Sequence, residues 1–249
     1  MIDKNYWFNL HFREGKSFNI KCPTCEEGKL NILGNFAVHE TKYAIELQKD
    51  LNYDIEELAE KFSGLLVCDN KYCNDIVTVS GNASPVRIYD EEDYSNQLYY
   101  KLLRPEFFSP PLKIFPLKQE YPARVRDILE KSFSLFFVDS DSCGNKIRIS
   151  VEALLDELGV ECKKGESLHA RIKNNKKTND FVREIMLSIK WIGNYGSHND
   201  SISRIDLLDA YEMMNAILDE LYDNYSNKLK ALSKSINDNK KPLSAINNF

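Results

Sequence analysis

Residues 101–122 read KLLRPEFFSPPLKIFPLKQEYP, and five of the last eighteen are proline. Proline has no N–H to donate and its ring clashes with the preceding helical turn, so this stretch reads as an extended connector, not a helix. It divides the chain: the residues before it alternate like strands, and those after it repeat with helical period. The reading is therefore α+β, with a β-rich domain at 1–104, a connector at 105–121, a helical bundle at 122–237 and a polar tail at 238–249.

Upstream, YWFNLHF (6–12), SFNIKC (17–22), KLNILGNF (29–36), GLLVC (64–68), DIVTVSG (75–81) and VRIYD (86–90) alternate or carry β-branched and aromatic residues, as strands do. One helix is expected among them over 54–62, capped by Asp54, with Ile55, Leu58, Ala59 and Phe62 on one face. Downstream, Pro122 suits a helix first turn, and Val125, Ile128, Leu129, Phe133, Phe136 and Phe137 follow. A second helix carries Ile147, Val151, Leu154, Leu155 and Leu158 and stops at Gly159. A short third covers SLHARIKNN. A fourth starts near Thr178 or Asn179 with Phe181, Ile185, Ile189 and Ile192 on one face. The last starts at Ser203, and Leu207, Tyr211, Met214, Leu218, Leu221 and Tyr225 step by threes and fours, as in a bundle.

Two cysteine pairs punctuate the β-rich half. IKCPTCEEGK places Cys22 and Cys25 two residues apart, and LLVCDNKYCND places Cys68 and Cys73 four apart. Short turns of this kind each present two thiolates to one metal, and four thiolates complete a tetrahedron around zinc. The expectation is a zinc-ribbon-like module with structural Zn2+ on Cys22, Cys25, Cys68 and Cys73; free thiols in a reducing compartment are the alternative. Gly28 is expected to supply a positive φ in the first knuckle, and His39 could replace one cysteine. Cys143 and Cys162 read as ordinary core or surface thiols.

Hydrophobic residues make up 43% of the chain and charged ones 29%, as in ordinary globular proteins. The absence of an eighteen-residue apolar run excludes a transmembrane helix, and the N-terminus lacks signal-peptide character, so a cytoplasmic protein with no membrane partner is expected. A net charge of −5 argues against a dedicated non-specific DNA binder. Residues 163–177 nevertheless hold six Lys/Arg against one Glu. Arg171, Lys173, Lys176 and Lys177 are candidates for contact with nucleic-acid phosphate; a solvated helix end is the other reading. Neither a Walker loop nor a dinucleotide-binding fingerprint, a nucleophile elbow or a zinc-protease helix motif occurs.

IKWIGNYGSHND (189–200) interrupts the helical pattern with Gly193, Gly196 and His198. Together with PPLKIFPLKQEYPARVRDILEKSF and IRISVEALLDELG, it resembles a bacterial domain of unknown function. That domain follows cysteine-rich, zinc-ribbon-like segments and also occurs on type I restriction R subunits. Arg148 and Glu152 resemble its Arg…Glu pair. The domain is in turn similar to the HEPN superfamily of helical bundles, found in toxin–antitoxin and phage-defence systems, whose active members are dimeric, metal-independent RNases using an Arg, a polar residue and a His.

Matching Asn194 and His198 to that pattern puts Gly193 at the arginine position, with Lys190 the nearest upstream cation. The resemblance implies an all-α HEPN-like bundle in a homodimeric accessory protein of phage defence or stress, binding RNA, DNA or a defence-system protein without catalysis. It leaves two alternatives: an endoribonuclease acting at a dimer interface through His198, Asn194 and Lys190, and a dimeric scaffold. From the residues alone, Asn194 and His198 could equally form a hydrogen-bonded helix corner.

Overall fold

The computed structural model describes residues 1–13, 19–88, 98–195, 201–222 and 224–242. After a short helix, α1 (Lys4–Phe8), five antiparallel strands form one sheet: β1 (Phe12–Arg13), β2 (Leu30–Glu40), β3 (Glu60–Cys68), β4 (Ile76–Ile88) and β5 (Leu98–Ser109), in the order β1-β5-β4-β3-β2. Alternation is cleanest in β4, where Val77, Val79, Gly81, Ala83 and Pro85 are buried and the residues between them are not. Phe12 on one edge strand lies 5.6 Å from Phe36 on the other, so the sheet curls until its edges approach around Phe62 and Phe108. The stretches at 76–81 and 86–88, read separately in the sequence, are one strand; residues 89 and 90 lie outside the described residues. Pro85 is tolerated in it because pairing to β3 ends at Ala83, so no ladder bond is lost on that side.

Three expectations fail in this half. YWFNLHF yields helix α1, because Asp3 accepts a hydrogen bond from the Tyr6 N–H and Trp7 turns toward Phe136 and Phe137. The helix over 54–62 is absent. Asp54 does cap a turn, but only a single 3-10 turn at Ile55–Glu57. From Leu58 the buried positions run 58, 60, 62, 66 and 68, the period of a strand, and Phe62 packs across the sheet on Phe36. The helix in this interval is α2 (Lys42–Leu47), capped by Thr41. Finally, residues 105–109 belong to β5. Pro105 sits at a bulge opposite Gly81, where a Cβ would lie 2.1 Å from the Arg104 carbonyl.

The rest of the proline-rich stretch is no loose tether. Leu112, Ile114 and Phe115 are buried, and the Phe115 ring meets Phe133 at 5.4 Å and Tyr211 at 6.2 Å. Sheet and helices thus share one apolar cluster. Lys4 of α1 also bridges to Asp209 and Glu212.

The helices are α3 (Ala123–Leu135), α4 (Ser140–Glu157), α5 (Leu168–Asn174), α6 (Asp180–Tyr195), α7 (Arg204–Tyr222) and α8 (Asn224–Asn239). Their caps match the sequence cues. Ser167 accepts from the Ala170 N–H, Asn179 from the Val182 N–H, and Gly159 takes φ +66° after α4. Ser203 and Asp206 cap each other's N–H groups at the start of α7. The long final helix expected from Ser203 is described as α7 and α8, with residue 223 between them outside the described residues.

The buried face of α6 is Val182, Met186, Ile189 and Gly193, with Phe181 exposed and Ile185 and Ile192 flanking. The expected face is off by one position. A close approach of α6 to α4 falls on this face: a Cβ at Gly193 would lie 2.8 Å from the Gly144 carbonyl and 2.7 Å from Arg148 Cβ. The glycine sits on the same buried face as Val182, Met186 and Ile189.

Candidate metal centre and cationic cleft

The two cysteine turns meet at the ends of β2 and β3. Cys22 and Cys25 precede β2, Cys68 ends β3 and Cys73 precedes β4. Antiparallel pairing of Leu30 with Cys68 closes the 42-residue gap between the pairs. The ligand atoms of all four lie within 4.8 Å of one another, with sulfur separations of 3.6 Å for Cys25–Cys68 and 3.8 Å for Cys22–Cys73. Metal–sulfur bonds of about 2.3 Å in a tetrahedron put sulfurs roughly 3.8 Å apart, whereas a disulfide needs about 2.05 Å. The donor set therefore fits a tetrahedral metal.

Backbone N–H groups support the sulfurs, from Gly28 to Cys25 at 3.3 Å and from Asn70 to Cys68 at 3.4 Å. The Gly28 and Glu27 N–H groups lower the Cys25 thiol to about 6, while burial pushes Cys68 up to about 12. The positive φ expected at Gly28 falls instead on Glu26 and Asn74, one in each turn. Gly28 is needed for space, since a Cβ there would meet Cys68 Sγ at 2.4 Å. His39 is exposed on β2 and outside the cluster. Cys143 is buried beside Tyr211 and Ser132, and Cys162 is exposed.

A second feature lies between α4, α5 and α6. A cleft of about 460 Å³ is lined by Arg148, Ser167, His169, Lys190, Trp191 and Asn194. Lys190 and Asn194, one turn apart on α6, both line it; His198 lies outside the described residues. Trp191 is 58% exposed rather than core. Its ring carries the Lys190 ammonium 3.3 Å from the centroid and meets the His169 ring at 5.8 Å. Among the described residues, Lys190 has no carboxylate partner. His169 was not legible as a site residue: it reads as one position of a short helix, and only the packing of α5 against α6 brings it to the cleft.

The basic stretch divides. Lys173, Lys176 and Lys177 are exposed. Arg171 is 6% exposed and donates to the Asp156 carboxylate at 2.7 Å, to the Val160 carbonyl and to the Glu152 carbonyl. It ties α5 to the end of α4 and offers nothing to a phosphate, because a long cationic side chain beside a helix C-terminus finds carbonyls and a carboxylate within reach.

Comparison with known proteins follows this division. No curated protein and no solved structure matches the chain. Two family models do match successive segments: residues 10–108, the sheet with its cysteine turns, are similar to a domain of unknown function, DUF8608, and residues 130–239, the helices with the cleft, to a domain of unknown function, DUF4145.

Proposed function

We propose that the protein binds nucleic acid, foremost single-stranded RNA, through the α4–α6 cleft and the neighbouring lysines, and that structural Zn2+ on the four cysteines stabilises the sheet that carries the bundle. The observation that carries this reading is the cleft itself. It gathers a guanidinium, an ammonium with no carboxylate partner among the described residues, an amide and an imidazole beside an exposed indole. Cations contact phosphodiesters and aromatic faces stack on bases, the combination that single-strand binders use. Lys173 near the end of α5, and Lys176 and Lys177 just after it, add exposed cations. The bundle is HEPN-like in this reading and the protein a homodimeric accessory factor of bacterial defence or stress, a role that rests on the sequence resemblance. Binding without cleavage follows from Gly193 at the arginine position of the RNase pattern.

Fluorescence anisotropy with a labelled single-stranded RNA tests the reading. Affinity should fall with salt, with a log–log slope of about −2 to −3 if three or four phosphates are contacted. It should drop in Lys190→Gln and in the combined Lys173→Gln, Lys176→Gln, Lys177→Gln variant. Binding that is indifferent to salt and to both variants would sink it. A second reading, metal-independent endoribonuclease through His198, draws on the sequence resemblance and on Lys190 and Asn194 lining one cleft. It requires RNA cleavage in chelator that His198→Ala abolishes.

A further inference from the structure

Gly193 leaves a space on α6 that another residue fills. Arg148 Cβ lies 2.7 Å, and Arg148 Cδ 3.4 Å, from where a Gly193 side chain would begin. The arginine stem is thus laid across the glycine, fixed between α4 and α6, and its guanidinium emerges in the cleft that Lys190 and Asn194 also line. Asn145 Oδ1 accepts from Arg148 Nε at 3.2 Å and from Nη2 at 3.0 Å, which orients the fork. The remaining donor, Nη1, holds the carboxylate of Glu152 one helical turn away.

We propose that Arg148 is the principal oxyanion-binding residue of this cleft and that Glu152 is its internal competitor. The chain's own carboxylate occupies the guanidinium where a phosphodiester oxygen of the ligand would bind. The side chain of Arg148 is 23% exposed and packed in place, whereas that of Glu152 is 37% exposed. The carboxylate is the partner free to swing toward solvent. Two cations, Arg148 and Lys190, then face a ligand group of single negative charge, and a planar guanidinium matches its paired oxygens better than an ammonium does. This assignment rests on the reading of the cleft as a nucleic-acid site and adds to it a binding residue and a built-in restraint.

The two roles separate experimentally because Arg148→Gln and Glu152→Gln break the same ion pair. With the full-length protein and a labelled single-stranded RNA, Arg148→Gln should weaken binding at least about tenfold, with Arg148→Lys failing to restore it. Glu152→Gln should tighten binding by about threefold or more. A pair that merely stabilises the helices would move both variants the same way, with matching losses in thermal midpoint. Wild-type binding with Arg148→Gln within about twofold, or weakening by Glu152→Gln, overturns the assignment alone. Absence of wild-type binding up to about 0.1 mM protein, the weak end of non-specific affinity, overturns the underlying reading as well. If Arg148→Gln does not fold, the direction of the Glu152→Gln effect decides.

Discussion

Replacing Gly193 with alanine distinguishes a helix corner from a helix contact. Gly193 lies within α6, and positive φ is confined to other residues. If it served only to loosen the backbone, alanine would stabilise the helix by about 0.8–1.0 kcal/mol through propensity alone. The structure demands the opposite. The new Cβ would sit 2.7 Å from Arg148 Cβ and 2.8 Å from the Gly144 carbonyl. Carbon contacts settle at about 3.5–4.0 Å, so α4 and α6 must part by a good fraction of an ångström, and one of the two obstacles is backbone. Overpacking of this kind costs about 1–3 kcal/mol.

Subtracting the propensity gain leaves a net loss of about 1 kcal/mol, or roughly 2–4 °C in thermal midpoint for a chain of this length. Gly144→Ala is the control. Its Cβ meets chiefly the Cδ1 methyl of Ile202, at 2.6 Å, the end of a side chain that can turn away. That variant should be neutral or slightly stabilised. Midpoints from thermal unfolding, repeated in urea, provide the measurement. A Gly193→Ala protein as stable as Gly144→Ala would refute the close α4–α6 contact and, with it, the fixed placement of Arg148.

Native mass spectrometry should find one zinc per chain, and a strong chelator should lower the thermal midpoint; Cys68→Ser should lose the metal, and a metal-free, chelator-indifferent wild type would refute the centre. Arg171→Ala removes a buried guanidinium and strands the Asp156 carboxylate and two carbonyls. Because Asp156 is partly solvated and keeps Arg124, we expect a loss of about 2–4 kcal/mol in urea unfolding, with RNA affinity of the folded protein unchanged; a drop in affinity without a drop in stability would return Arg171 to the binding surface. Four carboxyls lie below their ordinary range; among them Asp139 is lowered through hydrogen bonds from the Ser142 hydroxyl and N–H, and Asp156 because Arg171 and Arg124 outweigh burial. Lowered folded values give stability that is present above the unfolded value of about 3.9 and lost as the pH falls through the folded values. Asp139→Asn keeps a capping side chain but should flatten that acid limb; an unchanged limb would refute the contribution.

What could be read locally was read well. The cap at Asn179, the helix start at Ser203, the stop at Gly159 and the strand alternation through 75–81 each depend on a few neighbouring residues, which a linear pattern contains. The cysteine pairs belong to the same class, since a knuckle is a turn. Misreadings arose where the deciding partner was distant. Residues 58–62 fit a helical spacing as well as a strand, and the packing of Phe62 on Phe36 and Phe12 across the sheet decides for β3 from Glu60. Arg171, expected at a phosphate-binding surface, lies in the interior, because burial is a property of the neighbours and not of the residue type.

By itself, then, the sequence determined a β-rich half with four thiols suited to zinc and a helical half. Tertiary structure decided that the four thiols meet, that the prolines join one core, and that His169 and Arg148 share a cleft with Lys190. The physical reason is the range of the interactions: turns, caps and periodicity are set within a few residues, whereas the Gly193 contact that aligns α4 with α6 joins positions about fifty residues apart and exists only once both helices are packed.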